Sequence, residues 1–255
     1  MNGSPRGSDR ALYLVPHQDD EMLTLGAAIK ADVAAGLTVD VLLVTDGKED
    51  PAHTGPTAET LGRVPDVEEF IAARDREFAA GVRLLGGNPI VPPAADRQPD
   101  GGSSVAGVVA LAKRFAMPDG ATRLRATSTH DYHPDHRNCG AAMMLLAAKG
   151  LGTDPRLFIS RYKSDLWQRG MTQMGAHGDL TEDDQRPYRR KAPEDGWWGI
   201  GYDSAGEWFD YLLTVDGGSY WHRPKWQSRV KQLVAPLARK SGLTTVVWRL
   251  RHLRR

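Results

Sequence analysis

Apolar residues come along this chain in short continuous runs separated by longer stretches of helical spacing. Residues 11–15 (ALYLV) form an unbroken apolar run closed by Pro16, the pattern of a buried strand. Met22, Leu25, Ile29 and Val33 then recur three or four apart, which predicts a helix over 21–35 with Gly36 placed to end it. A second buried strand is expected over 39–45 (VDVLLVT), so the chain opens strand, helix, strand, the unit that makes parallel pairs. A Gly- and Pro-rich loop follows over 46–66. A loop of that length inside a compact domain often serves function.

Further on, Val67, Phe70, Ile71, Phe78, Val82 and Leu85 predict a helix over 67–85, with Asp66 as its cap and Gly86-Gly87 as its stop. The same reading gives a strand over 90–92, a helix over 105–115, a strand over 124–129, a helix over 137–149 and a strand over 157–160. Strands alternating with helices in this way imply a three-layer, Rossmann-like α/β fold: a mostly parallel sheet with helices on both faces. All seven tryptophans lie from Trp167 onward. Residues 170–206 are rich in Gly, Asp, Arg and Pro, and read as irregular structure packed on the main domain. The expected organisation is a single domain, with a catalytic α/β core over 11–166 and a Trp-rich, basic extension over 167–255 that shapes the substrate pocket.

Composition narrows the setting. The 255 residues are 25% charged and 40% hydrophobic, ordinary for a soluble globular protein. No apolar run is long enough for a transmembrane helix, and MNGSPRGSDR has no apolar signal core. With a single cysteine, Cys139, the chain forms no internal disulfide, and a cytoplasmic location is expected. The net charge of +1 is unevenly spread: ten Lys or Arg and no Asp or Glu lie beyond Asp216, leaving −9 on the first 216 residues. Such a tail can attract phosphates, nucleic acid or an anionic membrane surface, and more plainly reads as a solvated helix face or a patch that docks on the acidic body; a phosphate-bearing substrate or none is expected, and nucleic acid is not.

Two segments carry candidate chemistry. Pro16-His17-Gln18-Asp19-Asp20-Glu21 follows the first strand, and His130-Asp131-Tyr132-His133-Pro134-Asp135-His136 follows the strand over 124–129. Carboxyl ends of parallel strands are where such sheets bind ligands. A catalytic zinc needs three protein ligands and one open position, and imidazole and carboxylate are suitable donors. His17 and Asp20, three apart at a strand-to-helix turn, can converge on one point. The third ligand comes from the second segment, with His136 the first choice and His133 its competitor. Asp19 adjoins a ligand and suits a general base. His133 suits the oxyanion or the leaving amine, with Asp135 or Asp131 as the carboxylate that tunes it. The plainer reading is that Asp19-Asp20-Glu21 favours a helix N-terminus and the histidines are structural. The pairing of the two segments at strand ends weighs against it.

The motifs also resemble a family. PHQDDE looks like the (P/A)HPDDE motif of the LmbE-like, or PIG-L, deacetylases, and HPDH like that family's second motif. Thr45-Asp46-Gly47 and the run from Arg74 through Glu77 to Leu85-Gly86 resemble its TxG and RxxE…LG segments, so the likeness spans roughly residues 11–160. It implies a zinc-dependent hydrolase of N-acyl groups, usually acetyl on glucosamine-type sugars. His17, Asp20 and His136 would be the metal ligands, Asp19 the base, and His133 the electrostatic or acid histidine beside Asp135. Arg74 matches an arginine near the site. Gln18 departs from the usual proline. Zinc is the expected metal, and a His/His/carboxylate set also suits Fe²⁺.

Tyr132 and His53 are further substrate-contact candidates, while His130 and Cys139 read as structural. Trp197, Trp198, Trp208, Trp221 and Trp226 can stack on sugar faces or anchor a segment poor in aliphatics. Two alternatives remain in view: an amidase for a larger acyl or peptide-like amide, and a non-catalytic α/β nucleotide- or sugar-binding protein. Against a dinucleotide site, no G-x-G-x-x-G follows the first strand.

Overall fold

The computed structural model describes residues 9–117, 122–163, 170–176 and 178–224. Strand β1 (Arg10–Val15) leads into a short helix α1 (Asp20–Leu23) and then α2 (Gly26–Ala34). The single helix expected over 21–35 is therefore two. Gly26 marks the break, where an added Cβ would lie 3.2 Å from the Leu180 side chain and 3.3 Å from the Glu21 carbonyl. Strand β2 (Thr38–Leu43) follows, and the long segment expected as loop folds a 3₁₀ turn at Pro51–His53 and helix α3 (Pro56–Leu61). Helix α4 (Val67–Leu84) lies where its periodicity puts it, closed at the front by an Asp66/Glu69 capping box.

Strand β3 (Asn88–Ile90) begins two residues earlier than expected, and α5 (Val105–Phe115) matches its expected span. After β4 (Arg123–Thr127) comes α6 (Pro134–Ala148). This helix starts before residue 137 because Pro134 occupies its first turn and the His133 side chain caps it. Strand β5 (Thr153–Ser160) completes the parallel set.

The strand order is β3-β2-β1-β4-β5, all parallel. That is the doubly wound arrangement, and its order reverses between β1 and β4. Alternate strand residues supply the two faces. Tyr13, Val15, Val41 and Leu43 pack with Ile29, Phe78 and Val82 on one side. Leu12, Leu14, Leu42 and Ala126 pack with Val108, Ala112, Met143 and Leu146 on the other. Both clusters are buried, which makes the expected three layers.

Residues 170–206, expected as irregular, are largely structured. Strand β6 (Thr172–Met174), helix α7 (Glu182–Arg189), a small β7–β8 pair (Lys191–Ala192 with Trp197–Trp198) and the first part of α8 (Ile200–Leu212) lie there. Strand β9 (Ser219–His222) then pairs antiparallel with both β5 and β6, extending the sheet to seven strands. The irregular reading missed α7 because its buried face is polar. Asp184, Gln185 and Tyr188 are buried with hydrogen-bond partners, so no apolar stripe marks the helix. The described residues up to Arg223 form one compact unit, so those of 170–223 belong to the same body as the α/β core. The C-terminal unit, Pro224–Arg255, carries most of the basic tail, which lies outside the described residues from 225 on, as does Trp226. Among the described residues, no helix is long and apolar enough to cross a membrane.

Candidate active site

The reversal of strand order opens a crevice between the ends of β1 and β4, and the two candidate segments meet in it. From β1 the chain turns through His17 to Asp19, whose backbone N–H bonds the His17 carbonyl at 3.0 Å. The turn is stiffened by hydrogen bonds where the resemblance leads one to expect a proline ring. The Gln18 side-chain amide donates to the Asp46 carbonyl (3.1 Å) and to Asp75 Oδ1 (2.9 Å). Gln18 also lies against Gly47, whose φ of +68° is in the left-handed region and whose Cα has no room for a side chain. The Thr45-Asp46-Gly47 segment thus fits closely to the motif turn, and the Thr45 hydroxyl donates to the Pro16 carbonyl at 2.8 Å.

His17, Asp20 and His136 converge. Oδ2 of Asp20 lies 3.1 Å from His17 Nδ1 and 2.9 Å from His136 Nε2. Each imidazole has a carboxylate at its other nitrogen. Asp131 Oδ2 is 3.0 Å from His136 Nδ1, and Asp135 Oδ2 and Asp100 Oδ1 are both 3.2 Å from His17 Nε2. This is how metal-binding histidines are commonly oriented: one nitrogen held by a carboxylate, the other turned to the ion. Burial favours the neutral form of His17, but the hydrogen bonds to Asp100, Asp135 and Asp20 outweigh it and hold the imidazole well above its usual pKa. Burial works in the same way against ionised Asp20 and is outweighed by His136. The carboxylates that hold a proton on His17 would equally attract a metal ion, which displaces that proton and binds the neutral imidazole. His133 also lies within reach, its ring centroid 4.7 Å from that of His17, so geometry alone brings together three imidazoles.

Asp19 lies beside this set. Burial and the neighbouring Asp20 push its carboxyl up, Arg74 and His17 pull it down, and the result is about 6. Arg74 is buried, 3.1 Å from Asp50, 3.7 Å from Asp19, and donates to the Gly47 carbonyl at 2.7 Å. His133 Nδ1 accepts from the Asp135 backbone N–H at 3.3 Å, which leaves Nε2 as the nitrogen that can carry hydrogen. Burial, together with His17 and His136, lowers this imidazole to about 4. Of the two carboxylates expected to tune His133, Asp135 or Asp131, Asp135 does pull it up, but burial and the two imidazoles outweigh it. The Asp135 carboxylate, 3.9 Å from His133 Nδ1, is instead engaged by His17, by the Ser103 hydroxyl (2.6 Å) and by the Gly101 N–H (2.7 Å).

These groups line a cavity of about 460 Å³. Tyr132 lies at it, half exposed, and Trp208 lines it with its ring 4.1 Å from that of Tyr162. His53 does not line it: its Nε2 is 2.8 Å from the Pro65 carbonyl and its ring is 4.7 Å from Phe70. Of the other tryptophans, Trp198 is buried in a small apolar cluster, while Trp197 and Trp221 lie under the guanidinium groups of Arg190 and Arg156. His130 lies against His222, 4.9 Å between centroids, and Cys139 is buried in the core. Asp100 and Asp50, which line the cavity, were not singled out from the sequence. Both lie in Gly- and Pro-rich loops with no periodicity to mark them, and only the strand order brings those loops to the crevice.

The family model for PIG-L, the GlcNAc-PI de-N-acetylases, matches residues 12–147, more than half of the chain. The chain belongs to this family. No curated protein sequence matches it. Among solved structures, the N,N'-diacetylchitobiose deacetylase of Pyrococcus horikoshii is similar at 18% identity over 84% of this chain and 83% of that one, with a TM-score of 0.50. A triple mutant of a deacetylase of the teicoplanin biosynthetic pathway is 18% identical over 83% and 95%, with a TM-score of 0.48. GalB, the 4-carboxy-2-hydroxymuconate hydratase of Pseudomonas putida KT2440, is 13% identical over 85% and 97%, also at 0.48. The first of these likenesses is one of fold. The PIG-L match spans both motif segments, from β1 to the end of α6, and so takes in every residue placed at the crevice above except those contributed by 160–208.

Proposed function

We propose that this chain is a metal-dependent amide hydrolase that removes an N-acetyl, or more broadly an N-acyl, group from an amino sugar or a glycosylated natural product. The observation that carries this reading is the meeting of His17 Nδ1 and His136 Nε2 on one oxygen of Asp20, with a carboxylate behind each imidazole. Membership of a de-N-acetylase family supports the reaction class. His17, Asp20 and His136 would hold the ion; zinc suits the donor set, and iron(II) does too. The bound ion supplies Lewis-acid polarisation of the acyl oxygen and lowers the pKa of water.

The chain's own residues do the rest. Asp19, with a carboxyl near 6, takes the proton of the attacking water and delivers it to the departing nitrogen. Arg74 holds the Asp19 carboxylate in place from the side. His133 acts as a neutral donor: with Nδ1 accepting a backbone N–H, its Nε2–H is free to bond the oxyanion as the carbonyl becomes tetrahedral. Asp135 fixes His17, so its effect on the reaction comes through that ligand. Trp208 offers a face for a sugar ring, and the cavity suits a small molecule.

The test is acetate release from N-acetylated amino sugars by metal-loaded protein. Turnover lost at least 100-fold in Asp19→Asn, with the metal retained, supports the reading; unchanged turnover removes Asp19 from it. A propionyl and longer-chain series separates a deacetylase from an amidase for larger acyl groups.

A further inference from the structure

The cavity's charge points to a substrate class, an inference that rests on the proposed function of the same site. Five carboxylates line it: Asp19, Asp20, Glu49, Asp50 and Asp100. Against them stands Arg74, the only Lys or Arg among the described lining residues. That guanidinium is already matched, 3.1 Å from Asp50, 3.7 Å from Asp19 and bonded to the Gly47 carbonyl. Asp50 takes a further bond from the Ser204 hydroxyl at 2.8 Å, so the Arg74–Asp50 pair is fixed from both sides. A phosphate or carboxylate entering here would have to break that pair to gain a Lys or Arg partner. With His17 held as an imidazolium the lining carries a net −3, and a divalent ion on Asp20 and neutral His17 and His136 would still leave it at −2.

Two further observations bear on the occupant: one calls for a polar group, the other for a cationic one. The Thr24 hydroxyl is buried at the cavity wall with no hydrogen-bond partner among the described residues, a group that a ligand hydroxyl or amine would satisfy. Glu49 is exposed at the rim, and its carboxylate forms no ion pair among the described residues. It is therefore available to an ammonium group.

We propose that the cavity selects neutral or cationic acetamido compounds, best of all an amino sugar bearing a second, free amine, and rejects phosphate-bearing ones. The expectation from the basic tail, a phosphate-bearing substrate or none, lies outside the described residues, and the cavity itself favours the opposite charge.

The test is calorimetric titration of the full-length protein, metal-stripped and zinc-loaded, with glucosamine, N-acetylglucosamine and N-acetylglucosamine 6-phosphate at 50 and 500 mM salt. In both forms the expected affinity order is glucosamine, then N-acetylglucosamine, then the phosphate ester. The gap between first and last should be at least ten-fold at low salt and should shrink at high salt. Glu49→Gln, at an exposed position, should narrow the gap two- to three-fold. A phosphate ester that binds as tightly as the neutral sugar in either form overturns the proposal, as does a gap indifferent to salt and to Glu49→Gln. Acetate release from N-acetylglucosamine, measured on the same preparation, keeps the two readings apart. If release fails while the affinity order holds, the reaction falls and the charge rule stands. Release with the order reversed leaves the reaction and removes the charge rule.

Discussion

Asp131 shows how much of this site depends on atoms that never face the substrate. One of its oxygens holds His136 Nδ1 at 3.0 Å and the other accepts the His133 backbone N–H at 2.9 Å, so a single buried side chain orients one imidazole and fixes the backbone that carries another. Asp131→Asn keeps an acceptor for the backbone while removing the charge. It is expected to weaken zinc binding about 10- to 100-fold in competition with a chelator, at unchanged secondary structure. His133→Ala removes a donor without touching Asp20, so kcat should fall about 10²–10³-fold with KM little changed. A larger change in KM than in kcat would place His133 on the ground-state substrate instead.

That His17 and Asp20 come together was legible at this scale because a three-residue spacing at a strand end restricts where side chains can point. The partner of His133 was not. Asp135 is its near neighbour in sequence, yet the start of α6 turns that carboxylate toward His17 and Ser103. His53, a substrate-contact candidate more simply read as a loop histidine, is aimed by the 3₁₀ turn at Pro51–His53 at the Pro65 carbonyl.

Elements couple to the site through Glu77. This residue of α4 accepts the backbone N–H groups of Ile200 and Gly201, both at 2.9 Å, and so caps the start of α8, the helix that brings Ser204 and Trp208 to the cavity. Burial raises its carboxyl to about 7 against the bonds from Gly201 and Ile200 and the pull of Arg74. The sign follows: with the folded value above the unfolded one, the native state binds the extra proton. Stability is therefore fully present below about pH 4.5 and declines as pH rises to about 7, by roughly 3 kcal/mol from this group. Urea midpoints of wild type and Glu77→Gln compared at pH 5 and pH 8 check this. The wild type should lose more than the variant on going to pH 8, and equal losses would contradict the role given to Glu77.

Helices α4 and α5 were legible because their buried faces are apolar and regularly spaced. The start of α6 was hidden by the motif itself, since His-Pro-Asp-His reads as a loop of ligands until Pro134 is recognised as a first-turn residue. Helix α8 combines two difficulties. Its first turn starts from Gly199 in the left-handed region, and it is kinked at Ala205, so no single stripe runs its length.

For the whole molecule, the parallel core followed from the alternation of strands and helices, whereas its strand order with the reversal point and the antiparallel addition of β9 and β6 did not. Tertiary pairing decides that edge: β9 is four residues long and docks because β5 offers it an open side. The apolar clusters on the two faces of the sheet are built from residues outside the metal site. Removing the ion should therefore leave the protein folded but less stable. Zinc at 100 times its Kd contributes about 2.7 kcal/mol to the native state, so a chelator is expected to lower Tm by about 5–10 °C, reversed by adding zinc back. Loss of the cooperative transition on chelation would mean the ion is part of the fold.

The most direct test of the central claim joins metal and reaction in one titration. The full-length protein is stripped of metal, then zinc is returned stepwise while acetate release from an N-acetylated amino sugar is followed, alongside His136→Ala. The predicted result is no release from the stripped protein, recovery complete near one zinc per chain, and no recovery in the variant. Acetate release that persists in the stripped protein, or that zinc restores equally in His136→Ala, would contradict a metal-dependent hydrolase built on His17, Asp20 and His136.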